Sequence, residues 1–302
     1  DGGTQTAAII YGGRKQTPAT ESNDTEIWNG SGWTEVNNLN EAKQLVGSAG
    51  TSTANLCFGG ADTGTLATSE SWDGTNWTEV GDLNTGRYNL GGFGIQTAAL
   101  ATGGTPPVTG KTESWDGSSW TETGDLNTSR QGLQGSGSYT DGLIYGGEPP
   151  ITAKTEQWNG SSWTEVNDLS TARETGGSGR QSSSTQAIYF GGDAPPRSTA
   201  TEEWNFPSIT ATIQQEGQLY FKGGVLKGFE TSGGIPSVSW ASGGSLNTAR
   251  NSTHGMGQNN ILMIAAGGYD GTGAVAITEQ YNGSSWTEVG DMGTAKSQGA
   301  AS

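Results

Sequence analysis

The sequence has few of the residues that bind transition metals or form disulfides, because it holds one cysteine and one histidine among 302 residues. A disulfide needs two cysteines, so Cys57 cannot form one within the chain. Its apolar neighbours favour a small buried side chain over a reactive thiol. A zinc site needs several Cys or His ligands, and His254 stands alone. We therefore expect no bound metal and no cofactor.

Positive charge is also scarce, with 14 Lys and Arg against 30 Asp and Glu and a net charge of -16. Nucleic-acid binding depends on clustered Lys and Arg, so we expect no nucleic-acid partner. No apolar run approaches the roughly 18 residues of a membrane-spanning helix, so we expect no membrane insertion. Apolar residues make up only 30% of the chain, which favours thin sheets that share their faces over one large core.

A repeat occupies almost the whole chain. Residues 115–130, WDGSSWTETGDLNTSR, return five more times at nearly constant spacing. The second tryptophans of the copies are Trp33, Trp77, Trp120, Trp163, Trp240 and Trp286. A cation follows each of them ten residues later: Lys43, Arg87, Arg130, Arg173, Arg250 and Lys296. A glutamate precedes each first aromatic by two residues: Glu26, Glu70, Glu113, Glu156, Glu202 and Glu279. Before each glutamate, a diglycine ends a short apolar run.

Each unit predicts four short strands and almost no helix. Over residues 130–166 we expect strands at 130–138, 142–145, 155–158 and 163–166. Between the third and fourth strands stands Asn-Gly or Asp-Gly followed by a small residue, which is the signal of a tight hairpin turn. The flanking segments are rich in Thr and aromatic residues, and none shows a sustained apolar period of 3.6 residues.

A diglycine, a glutamate, two aromatic residues and a cation at these offsets resemble the Kelch repeat. In one unit the matching residues are Gly146, Gly147, Glu156, Trp158, Trp163 and Arg173. The resemblance covers essentially all residues. It implies an all-β fold, a Kelch-type β-propeller whose four-stranded blades surround a channel. It also implies an inner strand just after each cation and an outer strand from each second tryptophan.

The two ends of the chain carry complementary parts of one unit. Residues 294–302 joined to 1–13 have the same length, from threonine to diglycine, as residues 171–192. We expect the C-terminal strand, 297–302, to become the inner strand of the blade formed by residues 5–37, which removes an open sheet edge. This predicts one six-bladed domain over residues 1–302. Because the chain begins at Asp1, we also expect a trimmed N terminus or a piece of a longer protein.

The six glutamates and six cations recur in equal number, so we expect charge-assisted bonds between them, within or between adjacent blades. The alternative is a ring of charges that lines a pore and binds a ligand. For the paired tryptophans, packing between blades is favoured over a sugar-binding platform. Recurring loop aspartates, at Asp82, Asp125, Asp168 and Asp291, favour capping of backbone N–H groups over calcium binding.

The fifth unit contains an insertion at residues 206–237, between its third and fourth strands. Residues 217–230 read as a hairpin around Gly223 and Gly224. An isolated hairpin is marginally stable in water, so we expect it to dock on a blade or on another chain. The residues predicted to dock are Leu219, Tyr220, Phe221 and Phe229.

The loops that follow the diglycines vary most between units, and we call the face that carries them the loop face. Loops on a rigid scaffold commonly carry binding residues. The cations in these loops are the predicted binding residues: Arg14, Lys15, Lys111, Lys154 and Arg197. We expect the insertion to emerge on the opposite face.

Enzymatic chemistry finds little support in the residues. The copper site of galactose oxidase, a Kelch-type protein, needs two histidines, which this chain lacks. Paired carboxylates could support glycoside hydrolysis, but acids such as Glu79, Glu122 and Glu165 recur with the repeat and therefore favour a role in the scaffold. We expect a protein that is not an enzyme, with a hydrolase as the less favoured alternative.

The cassettes WNGSSWTE and LNTAR resemble those of Kelch-type proteins of tailed bacteriophages, especially marine ones, and the inserted EGQLYFKGGVLKGF resembles hairpins of phage tail and fibre proteins. The resemblance implies a virion protein, on a tail fibre or capsid, that contacts a host surface glycan, a neighbouring virion protein or a sister subunit. The alternative is a secreted or cell-surface adhesion module of a bacterium.

Overall fold

The computed structural model describes residues 4, 6–16, 19–179, 184–194, 197–205, 219–222, 225–228, 239–259 and 262–301. Within those residues the chain is all β-strand and loop and contains no helix. None of the described segments is therefore a helix that could cross a membrane.

Six four-stranded antiparallel sheets, the blades, follow one another along the chain. From inner to outer strand, blade 1 consists of Ala300–Ala301, Ala8–Tyr11, Thr25–Trp28 and Trp33–Val36. Blade 2 consists of Gly47–Thr51, Ala54–Phe58, Ser69–Trp72 and Trp77–Val80. Blade 3 consists of Gly91–Ile95, Ala98–Thr102, Thr112–Trp115 and Trp120–Glu122.

The second half of the chain repeats this order. Blade 4 consists of Gln134–Ser138, Asp141–Tyr145, Thr155–Trp158 and Trp163–Glu165. Blade 5 consists of Gly177–Ser178, Gln186–Phe190, Thr201–Asn205 and Ser239–Ser242. Blade 6 consists of His254–Asn259, Leu262–Ala266, Thr278–Tyr281 and Trp286–Glu288. The predicted all-β, six-bladed propeller is confirmed.

Burial within a blade decreases from the second strand to the rim. In blade 4, Leu143, Ile144 and Tyr145 of the second strand are fully buried because both faces of that strand contact neighbouring blades. In the outer strand Trp163 is buried while the two residues after it are exposed. The apolar content is low because only the inner part of each sheet is enclosed.

The inner strand of blade 4 begins at Gln134, later than the sequence indicated. The residues before it connect blades and are therefore not available for the strand. Arg130 turns its side chain to Glu156, and the Gly132 N–H donates to the carbonyl of Asn89 in the preceding connection.

The second tryptophan of each cassette lies between two blades. Trp163 of blade 4 packs with Phe93, Leu100 and Leu133, and its Nε1 donates to Thr112 Oγ1 of blade 3 at 3.1 Å. Six apolar clusters of this kind each join two consecutive blades, including blade 6 to blade 1. Tryptophan therefore serves packing between blades, as expected for a large aromatic with one polar atom.

Backbone contacts join the end of the chain to its beginning. Ile10 pairs with Ala301 and Tyr11 with Ala300 in antiparallel register. Around the axis, the residue two positions after a cation donates its N–H to the carbonyl of its counterpart in the preceding connection, and this bond forms in five of the six connections. We call these the ring residues: Leu45, Asn89, Gly132, Thr175, Ser252 and Gln298. One of these bonds, from Leu45 N–H to the Gln298 carbonyl, spans the junction between the two ends.

The diglycines are explained by a close backbone approach. Gly147 has a φ of 107°, and its N–H donates to the Arg173 carbonyl at 3.0 Å. A Cβ at this position would lie 2.6 Å from the Gln131 carbonyl oxygen, which no side chain tolerates. Only glycine therefore lets the chain turn there while it holds the connection to the next blade.

In the insertion, Leu219–Lys222 and Val225–Gly228 pair as an antiparallel hairpin, with Phe221 opposite Leu226. The backbone of predicted docking residues Leu219, Tyr220 and Phe221 thus lies in a strand. Phe229, Gly223 and Gly224 lie outside the described residues, as does Pro195-Pro196 of the blade 5 loop.

Candidate binding site

Each cation that ends a cassette bonds to the glutamate of the next blade. The distances are 2.5 to 3.0 Å in the pairs Lys43–Glu70, Arg87–Glu113, Arg130–Glu156, Arg173–Glu202, Arg250–Glu279 and Lys296–Glu26. All twelve residues are buried. The backbone carbonyl of each cation accepts the N–H of the second diglycine residue in the blade that precedes the cation. Each cation therefore connects that blade to the next one, which it reaches through its side chain.

The second carboxylate oxygen of each glutamate is also bonded. Glu156 Oε2 accepts from the N–H and from Nδ2 of Asn127, at 2.8 and 2.9 Å. Burial lowers the pKa of the Arg130 guanidinium, and the charge of Glu156 opposes that shift. These pairs are buried and recur between every two consecutive blades, so they belong to the scaffold.

Two of the predicted binding cations also belong to the scaffold. Lys111 bonds to Glu122 at 2.8 Å, and Lys154 bonds to Glu165 at 3.1 Å. Both pairs lie within one blade at the same sequence spacing and are exposed, which limits their contribution to stability to about 1 kcal/mol or less. Neither lysine lines the cavity that the other three predicted cations share.

The remaining three predicted cations, Arg14, Lys15 and Arg197, line one cavity of about 480 Å³ on the loop face. It lies between the loops of blades 5, 6 and 1, and we call it the cationic cavity. Its other lining residues are Ala19, Asn251, Ser252, Tyr269, Ser297 and Gln298. Its volume lies within the range of about 300 to 1,000 Å³ that is typical of small-molecule sites.

Local structure positions each of the three cations. Arg14 and Lys15 lie in Arg14–Gln16, which pairs with Ala19–Glu21 as a short hairpin after the blade 1 diglycine. Arg197 comes from the blade 5 loop and stacks on the Tyr269 ring of blade 6, with its Cζ 4.8 Å from the ring centroid. A side chain at Gly271 would meet Arg197 Nη1 at 3.0 Å, so glycine there makes room for the guanidinium.

The three cations differ in how far their charge is compensated. Lys15 Nζ bonds to Asp24 Oδ2 at 2.8 Å. Burial acts to raise the pKa of Asp24, but bonds from Lys15 and Ser22 and the charge of Lys296 lower it overall. Among the residues whose side chains are described, Arg14 and Arg197 are the cations without a carboxylate within 4.0 Å.

The polar wall of the cavity comes from connections between blades. Asn251 Oδ1 is buried and accepts no hydrogen bond, while its Nδ2 contacts Asp193 Oδ2 at 3.4 Å. Ser252 and Gln298 are consecutive ring residues, and in the part of the chain that the structure describes no backbone bond joins them. The cavity therefore opens where the ring of backbone bonds is interrupted.

A second cavity lies at the axis and is much smaller, about 50 Å³, with ring residues in its wall. That volume suits a few water molecules rather than an organic ligand. We therefore place the candidate site in the cationic cavity and not in the channel.

The recurring loop aspartates hold backbone groups. Asp168 Oδ1 accepts from the N–H of Thr155 at 3.0 Å, and Asp82, Asp125 and Asp291 do the same in their blades. Among the described residues, no group of three or more His, Cys, Asp or Glu is placed to hold a metal ion.

The sequence prediction missed Tyr269 and Asn251. Tyr269 follows a diglycine, and Asn251 follows a cation. The residues at these two positions pair with each other as an isolated β-bridge in every blade: Arg14–Ser297, Gln44–Ala61, Tyr88–Thr105, Gln131–Glu148, Glu174–Asp193 and Asn251–Tyr269. Both positions vary from unit to unit, while the diglycine before one and the cation before the other recur in every unit. That contrast between fixed and variable positions was the available signal.

The fold and the cavity thus define a six-bladed β-propeller with a cationic cavity on one face. Comparisons with protein families and with curated proteins found no match. Among solved structures the chain is similar to the one titled "Structure of YjhT", with a TM-score of 0.59 and 12% identity over 85% of this chain and 86% of that one. At this identity the similarity supports the propeller fold alone.

Proposed function

We propose that this propeller is a non-catalytic binding component of a tailed-phage particle, and that its loop face contacts a host surface glycan. The observation that carries the proposal is the cationic cavity, where three loop cations meet beside Tyr269. The cavity is lined by variable loop and connection residues on a fixed scaffold, so these residues can be substituted without disturbing the blades. The propeller fold fits a binding or structural role.

Sequence supports the more specific part of the proposal. The diglycine, glutamate, tryptophan and cation pattern resembles the Kelch repeat, and the WNGSSWTE and LNTAR cassettes resemble those of phage propellers. In this proposal the hairpin of Leu219–Lys222 and Val225–Gly228 docks to a neighbouring virion protein or sister subunit.

A non-catalytic role is supported by the use of the recurring carboxylates. The six buried glutamates each bond to a cation, and the loop aspartates each hold a strand N–H. A carboxylate that acts as an acid or nucleophile must instead reach the substrate.

Two measurements test the proposal. Mass spectrometry of purified particles should detect the protein, and removal of residues 207–237 should lower its incorporation. In a host-cell binding assay, the R14Q/K15Q/R197Q variant should lose binding, whereas the matched K111Q/K154Q variant should keep it. Host binding without incorporation into particles would favour the secreted adhesion module. Equal binding by both variants would contradict the role of the loop-face cavity.

A further inference from the structure

The cationic cavity holds the two cations with described side chains, Arg14 and Arg197, that have no carboxylate oxygen within 4.0 Å. Arg14 and Arg197 come from loops 183 positions apart in sequence numbering (197 minus 14) and meet because blades 5, 6 and 1 are consecutive in the ring. Every other Lys or Arg with a described side chain lies within 4.0 Å of a carboxylate. In a chain of net charge -16, two uncompensated guanidinium groups at one cavity indicate an anionic ligand.

The rest of the wall indicates what carries the anionic group. Asn251 presents a buried carbonyl oxygen that needs a donor, and Ser252, Ser297 and Gln298 add short polar side chains. Tyr269 contributes an aromatic wall that stays in place because Arg197 stacks on it. Hydroxyl groups on a ring can donate to the Asn251 carbonyl and accept from its neighbours, whereas a purely apolar ligand would leave these groups unpaired.

We propose that the cationic cavity binds one acidic saccharide residue, with its carboxylate or sulfate between Arg14 and Arg197 and its hydroxyl groups against Asn251, Ser252 and Gln298. Guanidinium groups match planar or tetrahedral oxyanions through paired N–H donors. The acidic residues on the neighbouring part of the loop face, Glu148, Glu174 and Asp193, oppose long polyanions and favour a single charged residue.

This inference specifies the ligand of the proposed binding face and rests on that function only for the choice of a saccharide. The experiment uses the purified chain and three soluble probes: glucuronate, glucose 6-sulfate and neutral glucose, with binding measured by calorimetry and by ligand-observed NMR. We expect one or both charged sugars to bind and glucose to bind at least about tenfold more weakly, because it lacks the charge-assisted bonds.

Variants locate the binding site. R14Q should weaken binding of the charged sugar by about tenfold or more, and its side chain makes no ion pair whose loss could disturb the fold. R197Q should act in the same direction, with circular dichroism and melting temperature as checks on the Tyr269 loop. K111Q is the matched control on the same face, since Lys111 pairs with Glu122 away from the cavity, and it should bind as the parent does.

Three results would overturn the inference: no binding of either charged sugar at millimolar concentration, equal binding of glucose, or charged-sugar binding that R14Q and R197Q leave unchanged. Its failure is distinguishable from failure of the proposed function. If the charged sugar binds but the protein is not found on particles, the ligand assignment stands alone. If R14Q/K15Q/R197Q loses host binding but neither charged sugar binds the purified chain, the binding face stands without this ligand.

Discussion

Arg130 Nη2 lies 3.0 Å from Glu156 Oε1, and both side chains are buried, although one follows the outer strand of blade 3 and the other lies in the third strand of blade 4. The bond recurs between every pair of consecutive blades. Desolvation offsets much of the attraction in a buried pair, so its contribution is to position rather than to large net stability. Removing one partner has a different effect, because it leaves a buried charge uncompensated.

We therefore expect Arg130→Met to destabilise the protein by about 3 to 5 kcal/mol. The matched control is Lys154→Met, which removes the same kind of charge from the exposed pair with Glu165 and should cost about 1 kcal/mol or less. Urea unfolding followed by tryptophan fluorescence measures both. Similar losses for the two variants would show that the buried pair has no special role.

Trp163 should contribute to stability through its ring and, separately, through its Nε1. Trp163→Phe keeps an aromatic ring between blades 3 and 4 but loses the 3.1 Å bond to Thr112, and should cost about 1 kcal/mol or somewhat more. Trp163→Ala should cost about 3 to 5 kcal/mol because it leaves a cavity. Exposed Thr164→Ala is the control for strand disturbance. Equal costs for the Phe and Ala variants would contradict the packing role.

Glu174 should make stability depend on pH. Burial, together with the nearby Glu148 and Asp193, raises the pKa of Glu174 from 4.5 to about 7. The folded state therefore holds this proton more strongly than the unfolded chain does, and the stability it contributes is full below pH 4.5 and is lost as the pH rises through 7. Because glutamine is neutral at every pH, E174Q should melt increasingly above the parent between pH 4.5 and 8. A difference in melting temperature that stays constant with pH would contradict this.

Cys57 should be inert in the folded protein. Burial raises the pKa of its thiol to about 12, an effect that the charge of Lys43 partly opposes, and the thiolate is the reactive form. We expect no reaction with Ellman's reagent at pH 8 in native buffer and one equivalent of thiol after unfolding in urea. Rapid labelling of the native protein would instead support the reactive thiol.

The fixed positions of the repeat predicted the architecture because each of them does the same work in every blade. A residue such as Trp163 or Gly147 occurs in six equivalent environments, so its role can be inferred from recurrence alone. The repeat resemblance implied an inner strand just after each cation, but in blade 4 the strand begins at Gln134, because Arg130 and Gly132 bond to neighbouring parts of the ring.

The candidate site was predicted only in part. Loop cations were identified as a class, but sequence did not show that Lys111 is neutralised by Glu122 while Arg14 is left without a partner. The equal spacing of Lys111–Glu122 and Lys154–Glu165 was a usable indication of scaffold pairs. Tyr269 could not be placed beside Arg197 without knowing that the loops of the adjacent blades 5 and 6 contact each other.

The inner strand of blade 1 comes from residues 300–301, which follow every other strand in the chain. During synthesis this strand therefore emerges after the three strands that it completes. Until then blade 1 has three strands, and the edge of Ile10 and Tyr11 that awaits it can pair with the wrong segment of the nascent chain or with another copy. A chain that lacks residues 300–301 keeps this edge unpaired, so we expect such truncated products to aggregate more readily than the chain that contains them.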